Sequence, residues 1–164
     1  MIKKKVCLIG AFAVGKTSLV KQFIENIFSA KYHTTLGVKI DKKSMTINDQ
    51  DVDLIIWDLA GEDDFISVKM SYLRGAAAYL VVVDGTRVGT LHTAVDLIER
   101  AEKETGQSLP YVILLNKYDL VSKWQISDED INAIELQGHE VLKTSAKTGE
   151  NVEAAFEAIV REII

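Results

Sequence analysis

A chain of 164 residues, 48% hydrophobic and 26% charged, has the size and composition of one soluble domain, residues 1–164, able to bury about 70% of its unfolded surface. A net charge of −5 argues against nucleic-acid binding, and the longest apolar run, residues 76–83, is far too short to span a bilayer. The single cysteine, Cys7, cannot form an internal disulfide and fits a reducing cytoplasm, and the three scattered histidines lack zinc-ligand spacing.

In chain order, the apolar residues 6–9 read as a buried strand. They lead into Gly10-Ala11-Phe12-Ala13-Val14-Gly15-Lys16-Thr17. A helix follows, with Leu19, Val20, Phe23 and Ile24 on one stripe. Strand, G-x-x-x-x-G-K-T loop and helix in that order are the context of a phosphate-binding loop. The N–H groups of the loop and helix start, from Ala13, Val14 and Gly15 through Lys16, Thr17 and Ser18, would cradle phosphate oxygens. Lys16 adds a point charge, and the Thr17 hydroxyl can bind Mg²⁺. Lys3-Lys4-Lys5 before an apolar stretch with Ala11-Phe12-Ala13 imitates a secretory leader, but cleavage there would remove half the loop.

Residues 26–36 lack periodicity and read as a loop. Val38 and Ile40, then Met45 and Ile47, approach a turn at Asn48-Asp49-Gln50-Asp51, and Val52, Leu54 and Ile56 return, which predicts an antiparallel hairpin. The parity change between Ile40 and Met45 predicts a bulge or an uneven edge strand. Lys31, Lys39, Lys42 and Lys43 read as a solvated face. Residues 78–83 form a near-continuous apolar strand, as a parallel sheet buried on both faces requires. Leu91, Ala94, Val95, Ile98 and Ala101 mark a helix face ending near Gly106. Residues 111–115 and 140–143 complete the strands. Ser127 to Asp130 resembles a capping box, and Asn151 is expected to cap a last helix with the stripe Val152, Ala155, Phe156, Ile159 and Ile163. The expected fold class is α/β: a doubly wound P-loop sheet of six strands, mostly parallel with one antiparallel edge strand, and about five helices. Ligand should lie at the carboxyl ends of the strands.

The other chemical signals fall at those strand ends. Asp58-Leu59-Ala60-Gly61 follows a buried strand. Asp58 is placed to hold Mg²⁺ directly or through water, and Gly61 lets the backbone approach the last phosphate. Asn116-Lys117-Tyr118-Asp119 reads a base: Asp119 can accept from both N1–H and the amino group of guanine, a donor pair that adenine lacks. Lys117 can lie along the base, and after the next strand Ser145-Ala146-Lys147 offers the Ala146 N–H to the guanine carbonyl.

These motifs, in this order, resemble the Ras superfamily of small GTPases over essentially the whole chain. Tyr32-His33-Thr34-Thr35-Leu36-Gly37-Val38 is similar to the first switch of its Rab branch, Trp57-Asp58-Leu59-Ala60-Gly61 to the second, and Ser71-Tyr72-Leu73-Arg74-Gly75-Ala76 to the helix after it. The resemblance implies a molecular switch that binds GTP with Mg²⁺ and slowly hydrolyses it to GDP, with switch regions at about 30–40 and 61–75. It implies that Thr35 joins Thr17 and Asp58 on Mg²⁺ only when the γ-phosphate is present. Phe28 would pack edge-on against guanine, and the Gly61 N–H would contact the γ-phosphate. Lys16, Thr35, Gly61 and Glu62 would then surround the reaction, and Gly10, Asn116, Ser145 and Lys147 would complete the nucleotide contacts. Effectors, an exchange factor and a GTPase-activating protein would meet the switch regions of a cytoplasmic monomer.

The sequence departs from that pattern in three places. Glu62 stands where the family has a water-orienting glutamine; as a carboxylate it either repels the phosphate and brakes the reaction, which is the expectation, or acts as a base. Phe12 and Ala13 replace small loop residues, often glycine. Neither a C-terminal cysteine nor a myristoylation glycine is present, so no membrane anchor is expected within these residues: either the switch is soluble, or a lipidated tail belongs to a longer chain. The alternative is a pseudo-GTPase that holds GTP with negligible hydrolysis because of Phe12 and Glu62. A P-loop kinase or ATPase conflicts with Asn116 to Asp119.

Overall fold

The computed structural model describes residues 1–29, 35, 37–62 and 68–164. The described residues form six strands, β1 (Ile2–Gly10), β2 (Val38–Ile47), β3 (Gln50–Leu59), β4 (Ala78–Asp84), β5 (Tyr111–Asn116) and β6 (Glu140–Lys143). The α-helices are α1 (Lys16–Glu25), α2 (Gly89–Thr105), α3 (Asp128–Leu136) and α4 (Val152–Ile163), with 3-10 segments at Met70–Leu73 and Tyr118–Lys123. No helix among the described residues is long and apolar enough to cross a membrane.

The strands make one sheet in the order β2-β3-β1-β4-β5-β6. Only β2 and β3 pair antiparallel; the other pairs are parallel. Strand periodicity sends alternate side chains to opposite faces, and here both faces are covered. Val6, Leu8, Leu80, Val82, Val112 and Leu114 join one core with α1 and α4. Cys7, Ile9, Tyr79, Val81, Ile113 and Leu115 join the other with α2 and α3. All seven residues of β4 are therefore buried. Phe23 of α1 and Phe156 of α4 stack with centroids 4.0 Å apart and ring planes 2° from parallel, which closes the first core.

The two cores also account for the parity change in β2. The ladder runs unbroken from Val38↔Leu59 to Ile47↔Gln50, so the expected bulge is absent. Val38 packs on the core of α2, whereas Met45 and Ile47 pack on the core of α1. A strand that changes core along its length changes parity without an inserted residue. The hairpin closes through Asn48 and Asp49, both at positive φ (51° and 61°), a conformation that short polar side chains tolerate.

Two local expectations need correction. In α2, Val95 is 44% exposed and Leu97 is fully buried; the helix is rotated slightly from the inferred stripe and also buries Thr90. Asn151 precedes α4 in a left-handed conformation (φ 56°) and makes no side-chain cap. Its Nδ2 donates instead to the Lys143 carbonyl, tying α4 to the end of β6. The Ser127–Asp130 capping box does form.

Candidate nucleotide-binding site

β1 occupies the point where the sheet order reverses, with β3 on one side and β4 on the other, so the loop after β1 opens into the crevice that binds ligands in such sheets. A side chain at Gly10 would meet the Val82 carbonyl oxygen of β4, and one at Gly15 (φ 99°) would meet Asn116 Nδ2, in each case at 2.4 Å. Both glycines are thus demanded by close approach. α1 starts at Lys16 with no side-chain cap on Gly15 and no acid in its first turn. First-turn N–H groups without a side-chain partner form an anion site. Lys16 is buried and donates to the Ala11 carbonyl at 3.3 Å. Burial pulls its ammonium pKa down to about 8 against the opposing attraction of Asp58, so a bound anion would relieve a desolvated cation.

Three oxygens from distant parts of the chain meet next to this lysine. The Thr17 hydroxyl donates to Asp58 Oδ2 at 2.5 Å and lies 2.6 Å from the Thr35 hydroxyl. Asp58 Oδ1 is buried with no partner among the described residues. Burial pushes the Asp58 carboxyl up, opposed by the Thr17 hydrogen bond and the Lys16 charge. An orphaned carboxylate oxygen beside two hydroxyls is a hard-oxygen donor set that fits Mg²⁺.

The end of β3 is joined to the loop through main chain. Glu62 N donates to Gly10 O at 3.1 Å and Phe12 N to Glu62 O at 2.8 Å, a parallel bridge between Ala11 and Glu62. A Cβ on Gly61 would fall 2.6 Å from Phe12 Cα, which is why this position takes glycine. The Glu62 side chain goes elsewhere: Arg100 of α2 binds both of its carboxylate oxygens at 2.6 Å.

On the other side of the loop, Asn116 Nδ2 donates to Val14 O at 2.9 Å, while its Oδ1 accepts from Thr144 Oγ1 at 3.1 Å and Ala146 N at 3.3 Å. Asn116 therefore fastens the phosphate loop to the loop after β6. Ser145 Oγ donates to Asp119 Oδ1 at 2.8 Å, which orients the carboxylate expected to read the base. The Ala146 amide, expected to face a guanine carbonyl, makes its long bond to Asn116 here. Lys117, at φ 71°, donates to the Ala13 carbonyl at 2.9 Å and pairs with Asp84 at 2.9 Å.

Asp84 and Arg87 are site residues that the sequence reading does not single out. Asp84 ends β4 with its side chain 1% exposed, bound by Lys117, by Arg87 Nε at 2.8 Å and by Thr86. Arg87 Nη2 continues to the Phe12 carbonyl at 2.9 Å. The available signal is position: Asp84 closes its strand as Asp58 and Asn116 close the neighbouring sites. Ser18, Phe28 and Lys147 make no hydrogen bond to these groups among the described residues; Phe28 and Lys147 are exposed. Of the expected switch regions, residues 30–34, 36 and 63–67, including Tyr32, His33, Thr34 and Leu36, lie outside the described residues.

A six-stranded sheet with one antiparallel strand, a G-x-x-x-x-G-K-T loop at its switch point, Asp58 and Asn116 at the ends of β3 and β5, and Asp119 in the 3-10 segment after β5 define the small G-protein fold. Residues 5–164 match the sequence profile described as the Ras family. The chain is 34% identical over 161 residues to the Ras-related protein Rab-2B of Dictyostelium discoideum, covering 98% of this chain and 80% of that one. It is also 34% identical over 160 residues to the Ras-related protein RABA5c of Arabidopsis thaliana, covering 97% and 75%. The chain belongs to the Ras family and is a Rab-like small GTPase.

Proposed function

We propose that this protein is a guanine-nucleotide switch that binds GTP and GDP with Mg²⁺ and hydrolyses GTP slowly. The observation that carries the reading is the junction at Thr17, whose hydroxyl meets both Asp58 and Thr35. It links the phosphate loop to the end of β3 and to the first switch, the three parts that must respond together to a terminal phosphate. Thr17, Asp58 and Thr35 would hold the Mg²⁺, which supplies positive charge against the phosphates. Lys16 and the uncapped start of α1 bind and neutralise phosphate oxygens. Asp119, oriented by Ser145, selects guanine, and Asn116 and Lys117 keep the base-reading and phosphate-binding loops in register.

On this reading Thr35 and Gly61 sense the γ-phosphate, and the surfaces at about 30–40 and 61–75 meet effectors, an exchange factor and a GTPase-activating protein. We take the protein to act as a monomer in the cytoplasm. The test is direct. Protein purified without added nucleotide should carry GDP or GTP and no adenine nucleotide, and chelating Mg²⁺ should speed release. Single-turnover assay should show slow conversion of GTP to GDP. Co-purifying adenine nucleotide, or equal affinity for ATP and GTP, would overturn the reading; tight GTP binding without conversion would leave a pseudo-GTPase.

A further inference from the structure

Glu62 is tied at two levels that point in different directions. Its main chain is bridged to the phosphate loop at Gly10 and Phe12. Its side chain is carried to α2, where a single nitrogen, Arg100 Nη1, lies 2.6 Å from each carboxylate oxygen. Oε1 also accepts from Val68 N at 3.2 Å, so the carboxylate draws residue 68 back towards residue 62. The two side chains are 14% and 34% exposed, sheltered enough that solvent and salt screen their attraction only partly. Arg100 stands on α2 beside the buried Leu97 and Ala101, so its backbone is fixed by the packing of that helix. Asp96, 3.5 Å from the guanidinium and one turn earlier, remains as a second carboxylate for Arg100 if Glu62 departs.

We propose that Arg100 is a positioning residue for hydrolysis: it holds the Glu62 carboxylate against α2 and off the phosphate loop, keeping the residue at the water-orienting position out of the reaction. The proposal rests on the GTPase reading and deepens it. Release of Glu62 from Arg100 is on this account an unfavourable equilibrium ahead of the chemical step, because charge-assisted hydrogen bonds must break before the carboxylate can turn to the attacking water. The ion pair balances the charge of Glu62, so the slowness comes from where the carboxylate is held and not from its repulsion of phosphate. A partner that took Arg100 for itself would release Glu62 and accelerate the switch.

The experiment is single-turnover GTP hydrolysis by loaded full-length protein, with GDP affinity and amide exchange at Val68 measured alongside. Arg100→Ala should hydrolyse GTP about tenfold faster, equivalent to lowering the barrier by about 1.4 kcal/mol. Its GDP affinity should be unchanged, and Arg100→Lys should fall between it and the parent. Glu62→Ala should be no faster than the parent, and adding Arg100→Ala to it should change nothing. Val68 N–H should exchange faster in both Arg100→Ala and Glu62→Ala. Overturning results are an unchanged or slower rate in Arg100→Ala, an acceleration that persists without Glu62, or a faster Glu62→Ala, which would make the charge itself the brake. Failure to load guanine nucleotide would strike the GTPase reading instead. The Val68 readout needs no nucleotide, and unchanged exchange there would overturn the positioning role by itself.

Discussion

The guanidinium of Arg87 and the buried carboxylate of Asp84 meet at 2.8 Å beside the phosphate loop. Lys117 binds the same carboxylate, and each cation then reaches a loop carbonyl, Arg87 to Phe12 and Lys117 to Ala13. One anion thus anchors two braces on successive loop residues. Removing one brace by Arg87→Ala should loosen the loop without touching base selection. Charged hydrogen bonds contribute about 1.5–3 kcal/mol, so GDP should leave roughly tenfold faster or more, with the preference for guanine over adenine intact. Stopped-flow release of a fluorescent GDP checks this; an unchanged release rate would remove Arg87 from the loop's support.

The same carboxylate predicts an acid dependence. Burial pushes the Asp84 carboxyl up, but hydrogen bonds from Thr86, Arg87 and Lys117 outweigh it and hold the group below the ordinary carboxylate value. A carboxyl whose folded pKa is depressed contributes stability above its unfolded value of about 3.9, and that contribution is lost as pH falls through the folded value. Urea unfolding from pH 6 down to pH 3 should therefore fall less steeply below about pH 4 in Asp84→Asn than in the parent protein, although the variant is less stable at pH 6. Parallel curves would show that the folded-state braces do not favour the charged form.

Base choice should rest on Asp119. Asp119→Asn replaces an acceptor by a mixed donor and acceptor, so guanine loses a hydrogen bond and meets a donor. GTP affinity should fall by roughly 10²-fold or more, with a relative gain for xanthosine nucleotides, whose ring carbonyl takes the new N–H. Competition titration with GTP and XTP measures both changes. Unchanged GTP affinity would remove the assignment.

At the Thr17 junction, Thr35→Ala should spare GDP binding and weaken binding of a non-hydrolysable GTP analogue. Hydrogen exchange at residues 37–40 should then be alike with either nucleotide, whereas the parent protein should be better protected with the analogue. Asp58→Asn should make nucleotide release insensitive to chelation. If the parent protein already shows equal exchange in both states, the first switch does not report the γ-phosphate.

A packing prediction concerns the turn after β4. The Trp124 ring lies so close to Gly85 that an added Cβ would come within 2.0 Å of it. Gly85→Ala must displace the indole, which also sits edge-on to Tyr118 at 5.2 Å. A loss of about 1–3 kcal/mol is expected for such overpacking. Urea unfolding in a Trp57→Phe background should show it, together with altered Trp124 emission. An unshifted midpoint would mean that the ring is free to move.

Much of this molecule is local in origin and so legible in the sequence. Apolar strands, the capping box at Ser127 and Asp130, the turn at Asn48 and Asp49, and the loop from Gly10 to Thr17 each depend on neighbours in the chain, and their order implies a doubly wound sheet with its ligand crevice after β1. Val95 and Leu97 lie about 200° apart around α2, at opposite edges of the stripe that Leu91, Ala94, Ile98 and Ala101 share, and which edge is covered depends on how the helix is rotated against the sheet. Periodicity alone also could not show that β2 serves both cores, because that follows from which helices cover each end of the sheet. The polar network is tertiary throughout. Thr17 and Asp58 are 41 residues apart, Glu62 and Arg100 are 38, and Arg87 and Phe12 are 75. Sequence identifies Glu62 as the unusual residue, but where its carboxylate goes depends on Arg100, a cation on another helix. A hydrogen bond has a reach of about 3 Å, and only the folded sheet decides which donors come within it.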